Sequence, residues 1–340
     1  MKKLLFVMVC LGALRAYGQS DIINNSYYGV PSSPAFELLP DKPSEVTHIL
    51  TPKDFTSFAP LVLDGSSLKA NVGFDFRPGS SFVGSLKDYR ESKTKQILWR
   101  TVLSGGTAAI KDSEDQYLAF GLRIPIIDRG DPRADETFVR ALETETTRVD
   151  SVQPDFPESP DDLTRIDPAL SKRLEKLRKE FVENNWNKFR LDVGFGNLFL
   201  LQSARLKQDS IRQDRFGMWT AASIPLGKKG QLMVSAKNAW IMSKSEEDET
   251  SRTSAGARVR FFLTSVALSV EYAKIWSTYK DAESLSEDWN HFAALLEIPV
   301  SRLNGVIGIA YGGDSSRRSD ADAKFEFRYS FYTDKLIKKD

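Results

Sequence analysis

Two arginines, Arg258 and Arg260, alternate with Ala257, Val259, Phe261 and Leu263. The same period of two gathers other charges onto one side of successive segments. The cations are Arg77, Arg100, Arg123, Arg190, Lys237, Lys324 and Arg328, and the anions are Asp75, Asp192, Glu271, Glu297 and Glu326. Charges on the inner side of a closed wall can do one of two things. An excess of cations can select small anions in an aqueous lumen. Alternatively, opposite charges pair off and fill a narrow interior that only stabilises the wall. The sequence leaves both open.

Other chemistry is thinly supplied. There are two histidines, His48 and His291. A serine hydrolase needs a histidine base beside its nucleophile, and no G-x-S-x-G context accompanies His291. Gly79 to Ser85 lacks the lysine of a phosphate-binding loop, and Gly194-Phe195-Gly196 completes no dinucleotide fingerprint. Acidic runs at Glu246–Glu249 and at Asp314, Asp320 and Asp322 lack calcium-loop spacing. No catalytic, cofactor-binding or metal-binding residue is therefore assigned, and no enzyme is expected. Cys10 is the single cysteine, and it falls in the expected leader, so disulfides and Cys-bound metals are excluded from the mature chain. A net charge of +1 gives no reason for a nucleic-acid partner.

The elements that must position these charges are strands. From Gln231 to Trp276, three segments alternate: Leu232, Val234, Ala236, Trp240 and Met242 against Ser235 and Lys237; Ala257 to Leu263 against Gly256, Arg258 and Arg260; Val266, Leu268, Val270, Tyr272 and Trp276 against Ser269 and Glu271. Period two means a strand with one apolar and one polar face. Each apolar face runs about ten residues, enough for a tilted strand to cross a bilayer. Similar patterns are predicted at 68–77, 96–109, 117–126, 189–200, 215–226, 291–300, 306–311 and 321–331, with a first strand near 59–63. The fold class read from this is all-β: a transmembrane antiparallel β-barrel of about 12 strands with an α-helical insertion.

Connections after Leu200 alternate long (203–214, 243–253, 277–288, 312–320) and tight (227–230, 264–265, 301–304). Barrels of this kind keep tight turns in the periplasm, which puts the insertion 128–185 on the periplasmic side. Within it, 135–149 reads as one helix. A second follows Asp167, an N-cap with Pro168 in the first turn. Its apolar face, Leu170, Leu174, Leu177 and Phe181, is either a docking surface for a periplasmic partner or a cap on the barrel's own apolar surface. Trp99 and Trp186 are expected at the inner interface, and Trp240, Trp276 and Trp289 at the outer one, where amphipathic rings favour the headgroup level. Trp219 falls mid-strand.

The chain thus divides into a signal peptide, 1–18; a Pro- and Ser-rich N-terminal segment, 19–66, expected to plug the lumen or line the periplasmic mouth; barrel strands, 67–127; the helical insertion, 128–185; further barrel strands, 186–332; and a polar tail, 333–340. Mean hydropathy is −0.34, compatible with a barrel whose lumen and loops are polar. A soluble β-sandwich also has one-faced strands, but strand length and tryptophan placement argue against it.

Three stretches resemble outer-membrane barrel proteins of Bacteroidota, a group with many uncharacterised members. They are Val30-Pro31-Ser32-Ser33-Pro34-Ala35-Phe36-Glu37-Leu38-Leu39; Val72-Gly73-Phe74-Asp75-Phe76-Arg77-Pro78; and Leu177-Arg178-Lys179-Glu180-Phe181 leading into Asn185-Trp186-Asn187. The resemblance implies an outer-membrane location, with lipid as the immediate partner and no catalytic residue to carry over. The expected function is a narrow or gated channel for small solutes. The alternative is a non-conducting structural or assembly subunit that anchors a periplasmic or surface complex through its insertion.

Overall fold

A computed structural model describes residues 33–40, 44–47, 55–58, 61–64, 67–70, 72–76, 86–110, 113–150, 168–202, 210–242, 249–263, 266–280, 286–300, 305–315 and 323–332. The expected leader and polar tail, His48 and Arg77 lie outside these residues.

The alternating segments form one antiparallel sheet. Its strands are β1 (Phe55–Phe58), β2 (Leu61–Asp64), β3 (Ser67–Ala70), β4 (Val72–Phe76), β5 (Val102–Ala109), β6 (Gln116–Asp128), β7 (Arg190–Leu201), β8 (Ile211–Leu226), β9 (Gly230–Ile241), β10 (Glu249–Leu263), β11 (Val266–Tyr279), β12 (Ser286–Val300), β13 (Gly305–Ser315) and β14 (Ala323–Tyr332). Each strand from β4 to β14 pairs with the next. Both β1 and β2 pair with β14, in a single register: Phe58 faces Ser330 and Leu61 faces Phe327. In the same way β3 pairs with β2 and β4 with β1. Fourteen segments, two pairs of which are halves of one interrupted strand, make a ring of twelve strands that closes on itself. The chain is an all-β antiparallel barrel. The first strand expected near 59–63 is described at Phe55–Phe58 and Leu61–Asp64.

Register decides which side chains meet. Arg258 faces Glu271 across β10 and β11, and Val259 faces Val270. Arg258 and Arg260 are wholly buried inside the ring, while Phe261, Val270, Tyr272 and Trp276 are exposed on its outside. Phe74, Leu103, Phe120, Met218, Phe292 and Tyr311 extend this apolar belt to β4, β5, β6, β8, β12 and β13. An encircling apolar surface on a ring with a charged interior is the inverse of a soluble core, and marks contact with lipid. Among the described residues no helix is long and apolar enough to cross a membrane.

One end of the ring carries the turn at 227–229 and the short connections between β10 and β11 and between β12 and β13. It also carries two helical connections. Between β4 and β5 lie α1 (Leu86–Glu91) and α2 (Lys93–Arg100); between β6 and β7 lie α3 (Glu136–Asp150) and α4 (Pro168–Asn185). The opposite end carries most of the longer loops, and one short connection at 65–66.

The strand expected over 96–109 begins only at Val102. Its first part is helix α2, because Ser92 caps it, accepting from the Lys95 N–H at 3.3 Å, and Thr101 closes it by donating to Ile97 and Leu98 carbonyls. Such caps satisfy the orphan groups at helix ends. The apolar face of α4 is spent largely inside the insertion. Leu170 is fully buried, Phe181 lies 4.6 Å from Phe138 of α3 between ring centroids, and Leu174 and Leu177 are half-buried. Arg173 Nε adds a bond to Glu145 of α3 at 2.8 Å. At Leu170 and Phe181 this face is therefore not free to dock a partner.

Candidate functional site

The interior of the ring holds the chain's own N-terminal segment. Pro34 opens a single 3-10 turn, Pro34–Phe36, where its fixed φ suits the first turned position. That turn presents Ala35 and Leu38 to Ala119 of β6, Leu198 of β7, Trp219 of β8 and Ala239 of β9, forming a buried apolar cluster. Phe36, Leu39 and Tyr117 pack at its margin. The wall allows this approach through Gly121: a Cβ there would run into the Pro34 carbonyl and lie 2.5 Å from the Ala35 nitrogen. Ser33 donates to Asp75 of β4 at 2.9 Å, and Arg215 of β8 donates to the Leu38 carbonyl at 3.5 Å.

Residues 44–47 sit against the other side of the lumen, on β9, β10 and β11, and their contacts are polar. Glu271 accepts from the Glu45 N–H at 2.7 Å, from the Val46 N–H at 3.5 Å and from Ser44 Oγ at 2.9 Å. Arg258 Nη2 donates to the Val46 carbonyl at 2.7 Å, to Ser44 Oγ, and to Glu271 at 2.7 Å. Lys237 Nζ pairs with the Glu45 carboxylate, and Ser235 Oγ accepts from the Thr47 N–H at 3.3 Å. At Gly256, an added Cβ would lie 2.9 Å from Val46 Cγ2. Thr47 Oγ1 donates to Glu37 at 3.1 Å, joining the two halves of the segment. His291 of β12 is buried and holds its Nε2 at 3.5 Å from Glu271.

The remaining inward charges pair across strands. Arg123 faces Asp192 at 3.6 Å, Arg190 faces Asp128 at 2.9 Å and Arg260 faces Glu297 at 2.7 Å. Arg123, Arg190, Asp192, Lys237, Arg258, Arg260, Glu271 and Glu297 thus all lie buried within the ring. Arg77 lies outside the described residues. For Lys324, Glu326 and Arg328 the structure describes only the backbone pairing of β14, in which Lys324 faces Gly312.

Four expected placements are corrected. Arg100 is not on the wall: it ends α2 and donates through Nε to Asp131 and Tyr89 Oη, both at 2.8 Å. Trp99, on the same helix, packs edge-on against Tyr89 under Arg133, away from any interface girdle. Trp186 is buried against Phe262, beneath the Arg260 guanidinium at 5.6 Å. Trp289 faces inward beside Arg252 at 5.3 Å, because it pairs with the inward Ile275. An indole beside an arginine of the chain gains a cation–π contact, with a buried guanidinium at Arg260 and half-buried ones at Arg133 and Arg252. Trp240 and Trp276 do face outward near the loop end, Trp240 stacked on Phe216 at 5.8 Å and Trp276 exposed. Trp219, the mid-strand residue, is turned inward onto Gly194.

At the turn end, Tyr89, Arg100 and Asp131 form a buried staple between the two helical connections. Tyr89 Oη also donates to Asp131. Burial by itself would raise the Asp131 pKa, but Arg100 and the Tyr89 hydroxyl hold it below the usual carboxylate value. Burial, then the neighbouring Asp131 charge, push the Tyr89 phenol well above its ordinary value.

Ser44 Oγ, beside His291 and Glu271, donates to the Glu271 carboxylate. What the sequence reading missed are Ser44, Glu45 and Val46 as wall ligands. A signal did exist: Gly121 and Gly256 stand at inward positions of strands that otherwise place larger residues there.

No family model matches the sequence, and no curated protein matches it. Among solved structures, similar folds include the NanC porin (7% identity, TM-score 0.39, covering 81% of this chain and 97% of that one). Others are Omp33 of Acinetobacter baumannii (8%, 0.35, covering 82% and 98%) and OpdK of Pseudomonas aeruginosa, with vanillate (8%, 0.33, covering 78% and 56%). The barrel architecture stands on this chain's own strand pairing.

Proposed function

We propose that this chain is a gated outer-membrane channel for small solutes, held shut by its own residues 33–40 and 44–47. The observation that carries the reading is the polar latch at 44–47. Apart from the Val46 side chain against Gly256, its contacts are hydrogen bonds and ion pairs that water or a solute can replace. A hydrogen bond to a charged group contributes only about 1.5–3 kcal/mol net of the bonds that water makes in its place. When the segment leaves, water enters the lumen and hydrates Arg258, Glu271 and Lys237 in its place. The apolar belt keeps the ring in lipid throughout. The exposed wall then favours anions, since Lys237 loses its carboxylate partner.

The tight-turn end, with the insertion 128–185 and both chain ends of the barrel, faces the periplasm in this reading, by the usual arrangement of such barrels. The Bacteroidota affiliation belongs to the same proposal and rests on the sequence resemblance. A periplasmic protein partner would have to use surfaces of the insertion other than Leu170 and Phe181.

Planar-bilayer recording tests the gate. The chain with Thr47→Cys and Ser235→Cys should be silent when oxidised and open on reduction, while Glu45→Gln should raise the open fraction above wild type. Silence of reduced and Glu45→Gln proteins alike would end the channel reading.

A further inference from the structure

We infer that the latch is a peptide-binding site, occupied in this state by the chain's own Ser44-Glu45-Val46-Thr47, and that the solute it recognises is a short acidic peptide that bends at the residue after its acid. The inference rests on the channel reading for the word solute, but its binding chemistry does not.

The wall does not hold this segment as a surface holds a loop. It reads the peptide backbone. The Glu271 carboxylate accepts from two consecutive backbone N–H groups, those of Glu45 and Val46. The Arg258 guanidinium donates to the carbonyl of Val46 at 2.7 Å, so both edges of one residue are recognised. Ser235 takes the next N–H, that of Thr47. Backbone recognition of this kind does not depend on side chains, and two consecutive N–H groups on one carboxylate oxygen select a bent backbone, as at Val46.

Two further features add selectivity. Lys237, buried in the wall, places its ammonium on the carboxylate of Glu45 and so asks for an acidic residue at that position. Gly256 leaves space where Val46 lies, which admits a branched apolar residue at the next position. The reading groups come from three adjacent strands, β9, β10 and β11, whose pairing is continuous along β10 from Ser251 to Phe261. His291 braces Glu271 from β12. Such a constellation is already shaped before a ligand arrives, which limits the ordering cost of binding. Among the described residues the buried Nη1 of Arg258 has no hydrogen-bond partner, leaving a donor that a longer peptide can use.

The self-segment and a peptide compete for one seat. A peptide that matches Ser-Glu-Val-Thr would displace the segment, and displacement opens the lumen. Recognition and gating are then the same event.

Calorimetric titration of the full-length, detergent-solubilised chain with N-acetyl-SEVT-amide tests this. The Glu45→Gln chain, whose own segment has lost its charge, should bind the peptide at least tenfold more tightly than wild type. Adding Lys237→Met to Glu45→Gln should remove that gain. The milder Ser235→Ala, added instead, should weaken binding several-fold. The peptide SQVT should bind Glu45→Gln at least tenfold more weakly than SEVT. Equal binding of SEVT and SQVT, or no binding to any of these chains, overturns the inference. Peptide binding without bilayer current would keep the site and sink the channel. Current from Glu45→Gln without peptide binding would do the reverse.

Discussion

Residues 33–40 and 44–47 occupy one lumen by different physics. The first stretch is held mainly by packing: Ala35 and Leu38 against Ala119, Leu198, Trp219 and Ala239, with the Pro34 backbone against Gly121. The second is held by charge and hydrogen bonds to Lys237, Arg258 and Glu271. Pulling the first stretch into water forfeits about 25 cal/mol for each Å² of apolar surface exposed. Pulling the second exchanges protein partners for water. The difference teaches where the segment opens: 44–47 is the releasable half and 33–40 the anchor, with Thr47 to Glu37 the tie between them.

The contrast can be broken at several points. The largest effect is expected from Arg258→Met. It strands Glu271 with its charge fully buried, a change that costs about 3–5 kcal/mol, read as a fall in the thermal melting of the detergent-solubilised barrel. Leu38→Ala, in the anchor, should cost about 2–5 kcal/mol in the same melt by leaving a cavity, yet leave bilayer current near the wild-type level. If Leu38→Ala raised the open fraction as much as Glu45→Gln does, the division into anchor and latch would fail. Glu45→Gln itself should lower stability by only about 1–3 kcal/mol while producing the largest rise in current.

The smallest effect concerns the helical connections outside the wall. The Asp131 pKa is depressed in the folded chain, so its contribution to stability is complete above the unfolded carboxylate pKa of 3.8 and fades as pH falls below it. Tyr89 has the opposite shift, so its contribution is complete below pH 10 and fades above it. Melting of the turn-end helices, followed by circular dichroism, should therefore be flat between these limits. Asp131→Asn should remove the acid limb and leave the lumen latch untouched. A loss of the latch in that variant, seen as raised current, would show that the two regions are coupled.

Much of the wall was legible in the residues. Alternation in β10 and β11 placed Arg258, Arg260 and Glu271 on the inner side and Phe261 and Val270 on the outer, because a strand's side chains have only two directions. Loop lengths put the helical insertion at the tight-turn end for the same kind of reason, since antiparallel strands must return. The candidate site was less legible. The Pro-rich stretch offered a choice between plug and mouth lining, and nothing local to Ser44 or Glu45 names Arg258 or Lys237 as a partner some two hundred residues away. The girdle reading failed at Trp99, Trp186 and Trp289 because tryptophan serves an arginine of the chain as well as a headgroup layer, and position near a strand end does not tell the two apart.

By itself, the order of residues determined the ring: a period of two, repeated, with turns between, fixes which flank of each strand is oily. Only the tertiary structure decided what fills the ring. Contacts between the N-terminal stretch and β9 to β11 join residues far apart along the chain, and such contacts leave no periodicity in the sequence. They leave only small residues where something else must fit, and Gly121 and Gly256 acquire that meaning once Pro34 and Val46 are seen beside them.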